Sequence, residues 1–240
     1  MFRILNRRRP FKHGRAAGLA AVALGGCLAL TACGSMQLGS AAVVGGQRIT
    51  SSTLATQVSE LTSYYNAHQA KVQLQFPISQ AAQQVLAWLI RFQVRDQMAT
   101  RMGITVSAGD IQRAIAAITA EERQSGSTSS LTNIAVANGL PPDLVNPALG
   151  KYEAIETALI TTMGGASATS SAAQQALSSK FNHDQCLAAK SLHIKVNPQF
   201  GTLDYSQLDV VAAADTLSAP EPGASPSASP TAKPQLTPPC

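Results

Sequence analysis

The sequence predicts a mainly α-helical domain with a small β-sheet. Apolar side chains recur at spacings of three and four residues through most of residues 41–213, which is the periodicity of helices with one buried face. Short apolar stretches without that periodicity stand at the two ends of this region, and we expect them to form strands. Roughly 175 residues are enough for one domain with a sizeable core.

The first elements are two short strands and a helix. Residues 41–49 read AAVVGGQRI, which is typical of a strand, a Gly-Gly turn and a second strand. Thr50 or Ser51 then caps a helix, because a hydroxyl at this position accepts a hydrogen bond from a free amide of the first turn. The apolar stripe of this helix is Leu54, Val58, Leu61 and Tyr65.

Two longer segments follow with helical periodicity. The second helix is expected over residues 79–101, after Pro77, and its apolar side chains cover more than one face, which predicts burial on two sides. Ser107 and Asp110 have the spacing of a capping box and predict the start of a third helix. The positions of the third helix that we expect to face the core are Ile111, Ala114, Ile115 and Ile118.

Three further helices complete the helical part. Residues 131–138 predict a short one, residues 144–163 a longer one with Pro147 near its start, and residues 172–190 the last. The domain is therefore predicted to be built largely from six helices.

The last folded segment differs from the helices. Residues 191–196 alternate between polar and apolar side chains, which predicts a strand. Because a lone strand leaves its backbone groups unpaired, we expect it to pair with the strand at Val43 and Val44. That pairing would bring the two ends of the domain together. Residues 208–211 are expected to form a final short element.

The N-terminus has the three parts of a lipoprotein signal peptide. A basic region precedes an apolar stretch at residues 16–32, and Leu30-Thr31-Ala32-Cys33 has the form of a lipobox. We expect residues 1–32 to be removed and the thiol of Cys33 to carry the lipid. This lipid would anchor the chain at the extracytoplasmic face of the cell membrane, with residues 33–40 as a short linker. The basic residues are Arg3, Arg7, Arg8, Arg9, Lys12 and Arg15.

Two alternatives concern this N-terminal segment. In the first alternative, residues 16–32 form an uncleaved transmembrane helix. Two observations argue against it, because a span usually needs about 20 residues and this stretch contains three glycines. Arg8 and Arg9 loosely match a twin-arginine export signal, whereas general secretion in the unfolded state is the preferred interpretation.

The charge of the chain argues against nucleic-acid binding. Residues 1–32 hold six of the 18 Lys and Arg residues and none of the 13 Asp and Glu residues. The remaining chain has 12 basic and 13 acidic residues, so its net charge is −1. Because the basicity belongs to the signal peptide, no basic patch is expected on the mature protein.

The C-terminal end has a biased composition. Residues 218–240 contain seven of the 13 prolines. Such a segment buries too little apolar surface to offset its ordering entropy. We expect residues 214–240 to be a disordered tail rich in Pro, Ala and Ser.

Four stretches, in this order, resemble a known family. They are residues 43–50 (VVGGQRIT), 86–90 (LAWLI), 102–111 (MGITVSAGDI) and 196–204 (VNPQFGTLD). Together they are similar to the N-terminal chaperone domain of the SurA/PrsA family in its actinobacterial lipoprotein form. The similarity spans about residues 41–205.

The resemblance implies a helical domain with a small sheet over residues 41–213, which binds unfolded or extended exported polypeptides and prevents their aggregation. Some family members also carry a parvulin-type prolyl isomerase domain. Here only 26 residues separate Gly165 from Leu192, and below about 40 residues an independent domain is hard to stabilise. We therefore expect a holdase that is not an enzyme. The alternatives are a scaffold lipoprotein with one dedicated partner and a residual prolyl isomerase.

Few residues suggest catalysis or metal binding. His183 and Cys186 would share a helix face, with His193 nearby, and such a set could hold Zn²⁺. A polar helix end with a buried thiol is the preferred interpretation. Solvated charges on exposed helix faces are expected at Glu121, Glu122, Glu153 and Glu156. We expect no catalytic residue, metal or cofactor.

Two cysteines remain once Cys33 is acylated, namely Cys186 and Cys240. Export permits a disulfide between them. The entropy of ordering a Pro-rich tail opposes closure, so the balance favours unpaired thiols.

Overall fold

A β-hairpin opens the part of the chain that the computed structural model describes, which is residues 39–213 together with Cys240. Strand β1 (Ser40–Val44) pairs antiparallel with β2 (Gln47–Thr50). The turn between them needs glycine, because Gly45 and Gly46 both have positive φ angles, of 55° and 86°. A Cβ atom at Gly45 would also lie 2.8 Å from Leu192 Cδ2.

The predicted pairing of the two ends of the domain is confirmed. Strand β3 (Lys195–Val196) lies antiparallel to β1, with Ala42 opposite Val196. The sheet order is β2-β1-β3. Strand β3 is shorter than the predicted stretch at residues 191–196, because His193 has a φ of 47°, in the left-handed region, which interrupts an extended chain.

Six α-helices form the rest of the described core, as the mainly α prediction requires. Local caps begin several of them. Thr50 Oγ1 accepts from Thr53 N at 3.0 Å, and Ser107 with Asp110 forms the predicted capping box. The helices are α1 (Ser51–Ala67), α2 (Ala81–Arg101), α3 (Ala108–Gln124), α4 (Leu131–Ala137), α5 (Gly150–Thr162) and α6 (Ser171–Ser191).

Two helices begin later than the sequence predicts. A 3₁₀ turn, Ile78–Gln80, precedes α2. A π-helical segment, Val145–Leu149, precedes α5, since Pro147 has no N–H to donate to an α-helical hydrogen bond. At the junction Gly150 lets α3 approach closely, because a Cβ there would lie 2.8 Å from Ile115 Cγ1.

Helix α2 is the centre of the core and is buried on two sides, as predicted. Its residues Val85, Leu86 and Ile90 are fully buried. A smaller apolar cluster lies beside the main core and includes Leu140 and Val145. The predicted face of α3 is only half-buried, and α3 has no fully buried residue.

A second hairpin closes the described region. Strand β4 (Thr202–Asp204) pairs antiparallel with β5 (Asp209–Val211). Buried Leu208 and Val210 join the main core, and Asp209 forms an ion pair with Arg91 of α2. Residues 208–211 thus contribute the predicted final element, but their partner strand β4 was not predicted.

Residues 1–38 and 214–239 lie outside the described region. The predictions for the signal peptide, Cys33, most of the linker and most of the tail fall there and remain predictions. Among the helices that the structure describes, none combines the length and apolar character needed to cross a membrane.

Candidate functional site

A groove of about 970 Å³ lies between the end of α1, the segment that links α1 to α2, and α4. We call it the α1–α4 groove. It is lined by Tyr65, Gln69, Ala70, Lys71, Val72, Gln73, Leu74, Gln75, Phe76, Ile78, Ser129, Asn133, Ile134, Ala137 and Asn138.

One wall of the groove is a chain segment with alternating burial, residues 71–76. Val72 is buried, and Leu74 and Phe76 are half-buried against the main core. The residues between them, Gln73 and Gln75, are exposed. The segment is not a strand, because the chain bends at Gln75 and Phe76. The apolar residues therefore anchor the wall, and the glutamines are presented to the solvent.

Hydrogen bonds hold both ends of this wall. Val72 N donates to His68 O at 3.0 Å, and Gln75 N donates to Ala137 O, at the end of α4, at 2.8 Å. Glycine lets the wall approach α4 closely, because a Cβ at Gly139 would lie 3.3 Å from Phe76 Cε1. The wall is thus fixed to α4.

A further contact ties α1 to α4 beneath the groove. Tyr64 Oη donates to Asn133 Oδ1 at 2.8 Å. The ring of His68 stacks on Tyr64 with ring centroids 4.0 Å apart, and His68 Nδ1 lies 2.8 Å from Tyr64 O. The two helices that flank the groove are therefore held in one arrangement.

The groove has the chemistry of a binding surface. Its polar side chains are mostly neutral amides, which both donate and accept hydrogen bonds. Its apolar side chains include Ile134 and Ile78, and Ile78 is 48% exposed. Lys71 is the one ionic side chain in its lining. Such a surface suits a ligand with peptide groups and apolar side chains.

A second groove, of about 590 Å³, lies between α3 and α5. Its walls are mainly Ala and Thr side chains, with Asp110 and Arg113 among them. These two residues form an ion pair with each other within one helical turn, so neither offers an unpaired charge to a ligand.

The buried polar cluster around Arg95 is a third candidate. Arg95 is 2% exposed. Its guanidinium donates to Glu156 Oε2 at 2.6 Å, to Tyr152 Oη at 2.7 Å and to Gln185 Oε1 at 2.8 Å. It also lies over the Tyr152 ring, 3.8 Å from the centroid. These contacts join α2, α5 and α6, so the cluster acts as a structural link.

The expectation that Glu153 and Glu156 lie on an exposed face is wrong. Both are half-buried, because this face of α5 packs towards Arg95 on α2. Burial, and then the charge of Glu156, raise the pKa of Glu153 to about 7. Burial also raises the pKa of Tyr152. Glu121 is exposed as expected, whereas Glu122 is half-buried.

Cys186 and Cys240 form a disulfide, with their Cα atoms 5.6 Å apart. The expectation that they remain unpaired is therefore wrong. The expectation rested on the entropy of ordering a Pro-rich tail. The entropy of loop closure grows only with the logarithm of loop length, so the 54-residue separation between the two cysteines does not prevent the bond.

The disulfide also removes the sulfur ligand from the alternative zinc site, since Cys186 has no free thiolate. His183 and His193 are both exposed. Within residues 39–213 and Cys240, no three His, Cys, Asp or Glu side chains are grouped so that they could hold a metal ion. Cys33, the predicted lipidation site, lies outside the described residues.

Sequence reasoning assigned no residue of the α1–α4 groove to a binding site; it named Tyr65, which lines the groove, only as part of the apolar stripe of α1. A usable signal was present, because residues 71–76 read KVQLQF, with apolar and polar side chains alternating between two helices. That alternation indicates a segment with one buried face, and the burial of residues 72–76 follows it. It does not indicate which helix lies beside it.

Comparison with known proteins identifies a family. The family model described as the SurA-like N-terminal domain matches residues 15–144, which is more than half of the chain. The matched region contains every residue that lines the α1–α4 groove. No curated protein and no solved structure is significantly similar to the chain.

Proposed function

Because the chain belongs to the SurA-like N-terminal domain family, we propose that it is a membrane-anchored extracytoplasmic holdase for unfolded exported polypeptides. The family is of a chaperone type, and this N-terminal domain is its chaperone-like, non-catalytic part. We propose in addition that the protein has no isomerase activity. The observation that carries the proposal is the α1–α4 groove, which lies wholly within the matched region.

The lining of the groove supports binding of many different sequences. Amide side chains such as Gln73 and Asn133 can pair with peptide groups, which every polypeptide carries. Apolar side chains such as Ile78 and Ile134 can contact the apolar side chains that an unfolded chain exposes. Because neither kind of contact depends on one particular sequence, a groove of this composition suits a general holdase.

Two features support an extracytoplasmic location. The lipobox ending at Cys33 predicts a lipid anchor. The disulfide between Cys186 and Cys240 is a bond that forms and persists mainly in oxidising compartments. With Cys33 in the membrane interface and β1 starting at Ser40, the linker limits the reach of the domain to at most about 3.3–3.6 Å per residue.

The holdase role is tested by aggregation of a denatured client. Protein without residues 1–32, and with Cys33→Ser to prevent thiol chemistry, is added to a client diluted from denaturant, and light scattering is followed. We expect suppression at a few-fold molar excess. Aggregation that proceeds unchanged would overturn the proposal. Recovery of a single stable partner from cells, without any holdase effect, would favour a dedicated scaffold instead.

The anchor has its own test. Cells that express the full chain are labelled with a clickable fatty acid and then fractionated. We expect label on the wild-type protein in the membrane fraction, and neither label nor membrane retention after Cys33→Ser. Equal labelling of the two proteins would exclude Cys33 as the lipid site.

A further inference from the structure

We propose that a cleft between α2 and α5 is a second binding site, and that it holds an extended, uncharged client segment with one large apolar side chain. This inference rests on the proposed holdase function, because it names a further surface and the class of client segment that the surface fits. We call this surface the α2–α5 cleft. It consists of two adjoining pockets that share Asp96 and Lys151. None of the residues that line it also lines the α1–α4 groove.

The smaller pocket has the size and lining for one side chain. Its volume is about 280 Å³, which is below the roughly 300–1,000 Å³ of pockets that hold whole small molecules. Phe92 of α2 and Tyr152 of α5 line it, with ring centroids 5.7 Å apart and ring planes inclined by 69°. Leu144 and Ala148 add half-buried apolar surface. An aromatic guest would extend this edge-to-face arrangement, so the pocket suits a side chain such as Phe.

Another part of this pocket is formed by an unusual helical segment. Pro147 and Ala148 line the pocket and belong to the π-helical segment Val145–Leu149. Short π-helical segments are frequent at functional sites. Val145 and Leu149 are buried in the smaller apolar cluster, so the segment is anchored before any client arrives. A pocket that is ordered in advance loses less conformational freedom when it binds a ligand.

An ion pair lies at the border between the two pockets. Lys151 Nζ donates to Asp96 Oδ2 at 2.7 Å, and the two side chains are 44% and 45% exposed. Within the described part of the chain, the carboxylate of Asp96 has no other hydrogen-bond partner, and an ammonium group carries three N–H donors. Asp96 Oδ1 and two donors of Lys151 are therefore available. A peptide group matches them, because its N–H donates to a carboxylate and its C=O accepts from an ammonium.

The charges of the cleft favour an uncharged client. Asp96 and Lys151 are the only ionic residues in its lining, and their charges are opposite. A charged client side chain would meet an attractive and a repulsive charge close together, and the two contributions largely cancel. The main chain of a client, in contrast, gains a hydrogen bond from each group. The cleft is therefore complementary to the peptide groups of a client and not to a net charge.

The spacing of the two pockets matches an extended chain. Phe92, Asp96 and Thr100 recur every four residues on α2, which is about 6 Å along the helix. Asp96 lies between the pocket beside Phe92 and the larger pocket beside Thr100, of about 380 Å³. Side chains on one face of an extended chain recur at about 6–7 Å. Two such side chains of a client would therefore enter the two pockets, with the peptide groups between them over the ion pair.

Photo-crosslinking locates the bound client. The probe is an uncharged peptide of about nine residues, longer than the two pockets require, with benzoyl-phenylalanine two positions before a Val. It is irradiated with the protein used in the aggregation assay, and the products are mapped by mass spectrometry. We expect crosslinks at Phe92 and residues 144–148, in addition to any in the α1–α4 groove. Crosslinks confined to the groove, or none, would overturn the second site, whereas client aggregation decides the holdase proposal separately.

Filling the smaller pocket gives a second test. Ala148→Phe places a ring in it. Ala114→Phe is the matched control, because Ala114 is also a half-buried helical alanine but lines the groove between α3 and α5. Both are combined with Ile78→Glu, which weakens the α1–α4 groove, and fluorescence anisotropy measures binding of the peptide with Phe in place of the photoreactive residue. We expect about tenfold weaker binding for Ala148→Phe alone, since the Phe of the peptide is no longer buried. Equal affinities would contradict the proposal.

A change in the peptide covers the case in which Ala148→Phe does not fold by circular dichroism. Replacing the Phe of the peptide by Ala should weaken its binding to Ile78→Glu by about tenfold as well. If the affinity does not change, the aromatic pocket is not used.

The ion pair is tested with Lys151→Met, which removes the ammonium donors and keeps the length of the side chain. The control is Lys180→Met, which breaks an exposed ion pair with Asp184 on α6. We expect Lys151→Met to bind the peptide roughly fivefold more weakly, and Lys180→Met to bind it like the parent protein. Equal affinity of the two variants would refute the contact between the ion pair and the main chain of the client.

Discussion

The Arg95 cluster and the α1–α4 groove are the two polar regions of this domain that differ most. Three hydrogen bonds to side chains of α5 and α6 surround the guanidinium of Arg95. The wall at residues 73–76 has neighbouring backbone groups without any partner in the described chain. The hydrogen bonds of the two terminal nitrogens of Arg95 hold three helices together, although its buried Nε has no partner among the described residues. Polar groups that are ordered but unsatisfied are available to a ligand.

The largest expected effect comes from breaking the Arg95 cluster. Arg95→Ala removes a buried cation and leaves Tyr152 and Glu156 without their partner. We expect the free energy of unfolding to fall by about 3–5 kcal/mol, measured by urea denaturation. The matched control is Arg113→Ala, since Arg113 forms an exposed ion pair with Asp110. It should change the stability by less than about 1 kcal/mol. Equal losses in both variants would refute a structural role for Arg95.

The next effect concerns the disulfide beside this cluster. Cys186 follows Gln185, which accepts from Arg95, and it is bonded to Cys240. Cys186→Ser should lower the free energy of unfolding by about 2–4 kcal/mol, because the unfolded chain gains entropy when the loop opens. A reductant should destabilise the wild type and have no effect on the variant. Insensitivity of the wild type to reductant would argue against the bond.

A smaller effect tests the charge environment of the same cluster. The pKa of Glu153 is raised from 4.5 to about 7 in the folded protein, so folding favours the protonated form. Its contribution to stability is complete below about pH 4.5 and is lost as the pH rises through 7. Allowing for solvent screening, we expect the free energy of unfolding to fall by about 1–2 kcal/mol between pH 5 and pH 8.

Glu153→Gln should remove most of that pH dependence, whereas the exposed control Glu60→Gln should retain it. Urea denaturation at the two pH values measures the difference. If the free energy of unfolding of Glu153→Gln falls between pH 5 and pH 8 as much as that of the wild type, another group causes the pH dependence.

The smallest effect on stability is expected in the groove. Ile78 in the groove and Met102 outside it are 48% and 47% exposed, so replacing either by Glu should change stability by about 0.5 kcal/mol or less. The two variants should differ in holdase activity. Ile78→Glu is expected to weaken the suppression of client aggregation, and Met102→Glu to leave it intact. Equal activity of the two variants would move the binding site away from the α1–α4 groove.

Local features of the fold were predictable because neighbouring residues decide them. The Thr50 cap and the Ser107–Asp110 capping box depend on side chains within three residues of the amides they bind. The stripe of α1 and the two buried sides of α2 follow from helical periodicity alone. The pairing of β1 with β3 was also predictable, since few strands were available and an unpaired strand is costly.

The candidate site was much less predictable, because its walls come from separate elements. The pattern at residues 71–76 indicates a segment with one buried face, but not that Gln75 would bond to Ala137 at the end of α4. The half-burial of Glu153 and Glu156 depends in the same way on how α5 packs against α2. Periodicity assigned these acids to the surface because it describes one helix at a time.

By itself, the sequence determined the mainly helical class, the positions of the caps and the meeting of the two ends of the domain. It also predicts the lipid anchor at Cys33. Only the tertiary structure decided which polar groups find partners. Arg95 lies 61 residues from Glu156 and 90 from Gln185, and Cys186 lies 54 residues from Cys240. Such contacts depend on the packing of whole helices, and that packing also leaves the wall at residues 73–76 unpaired.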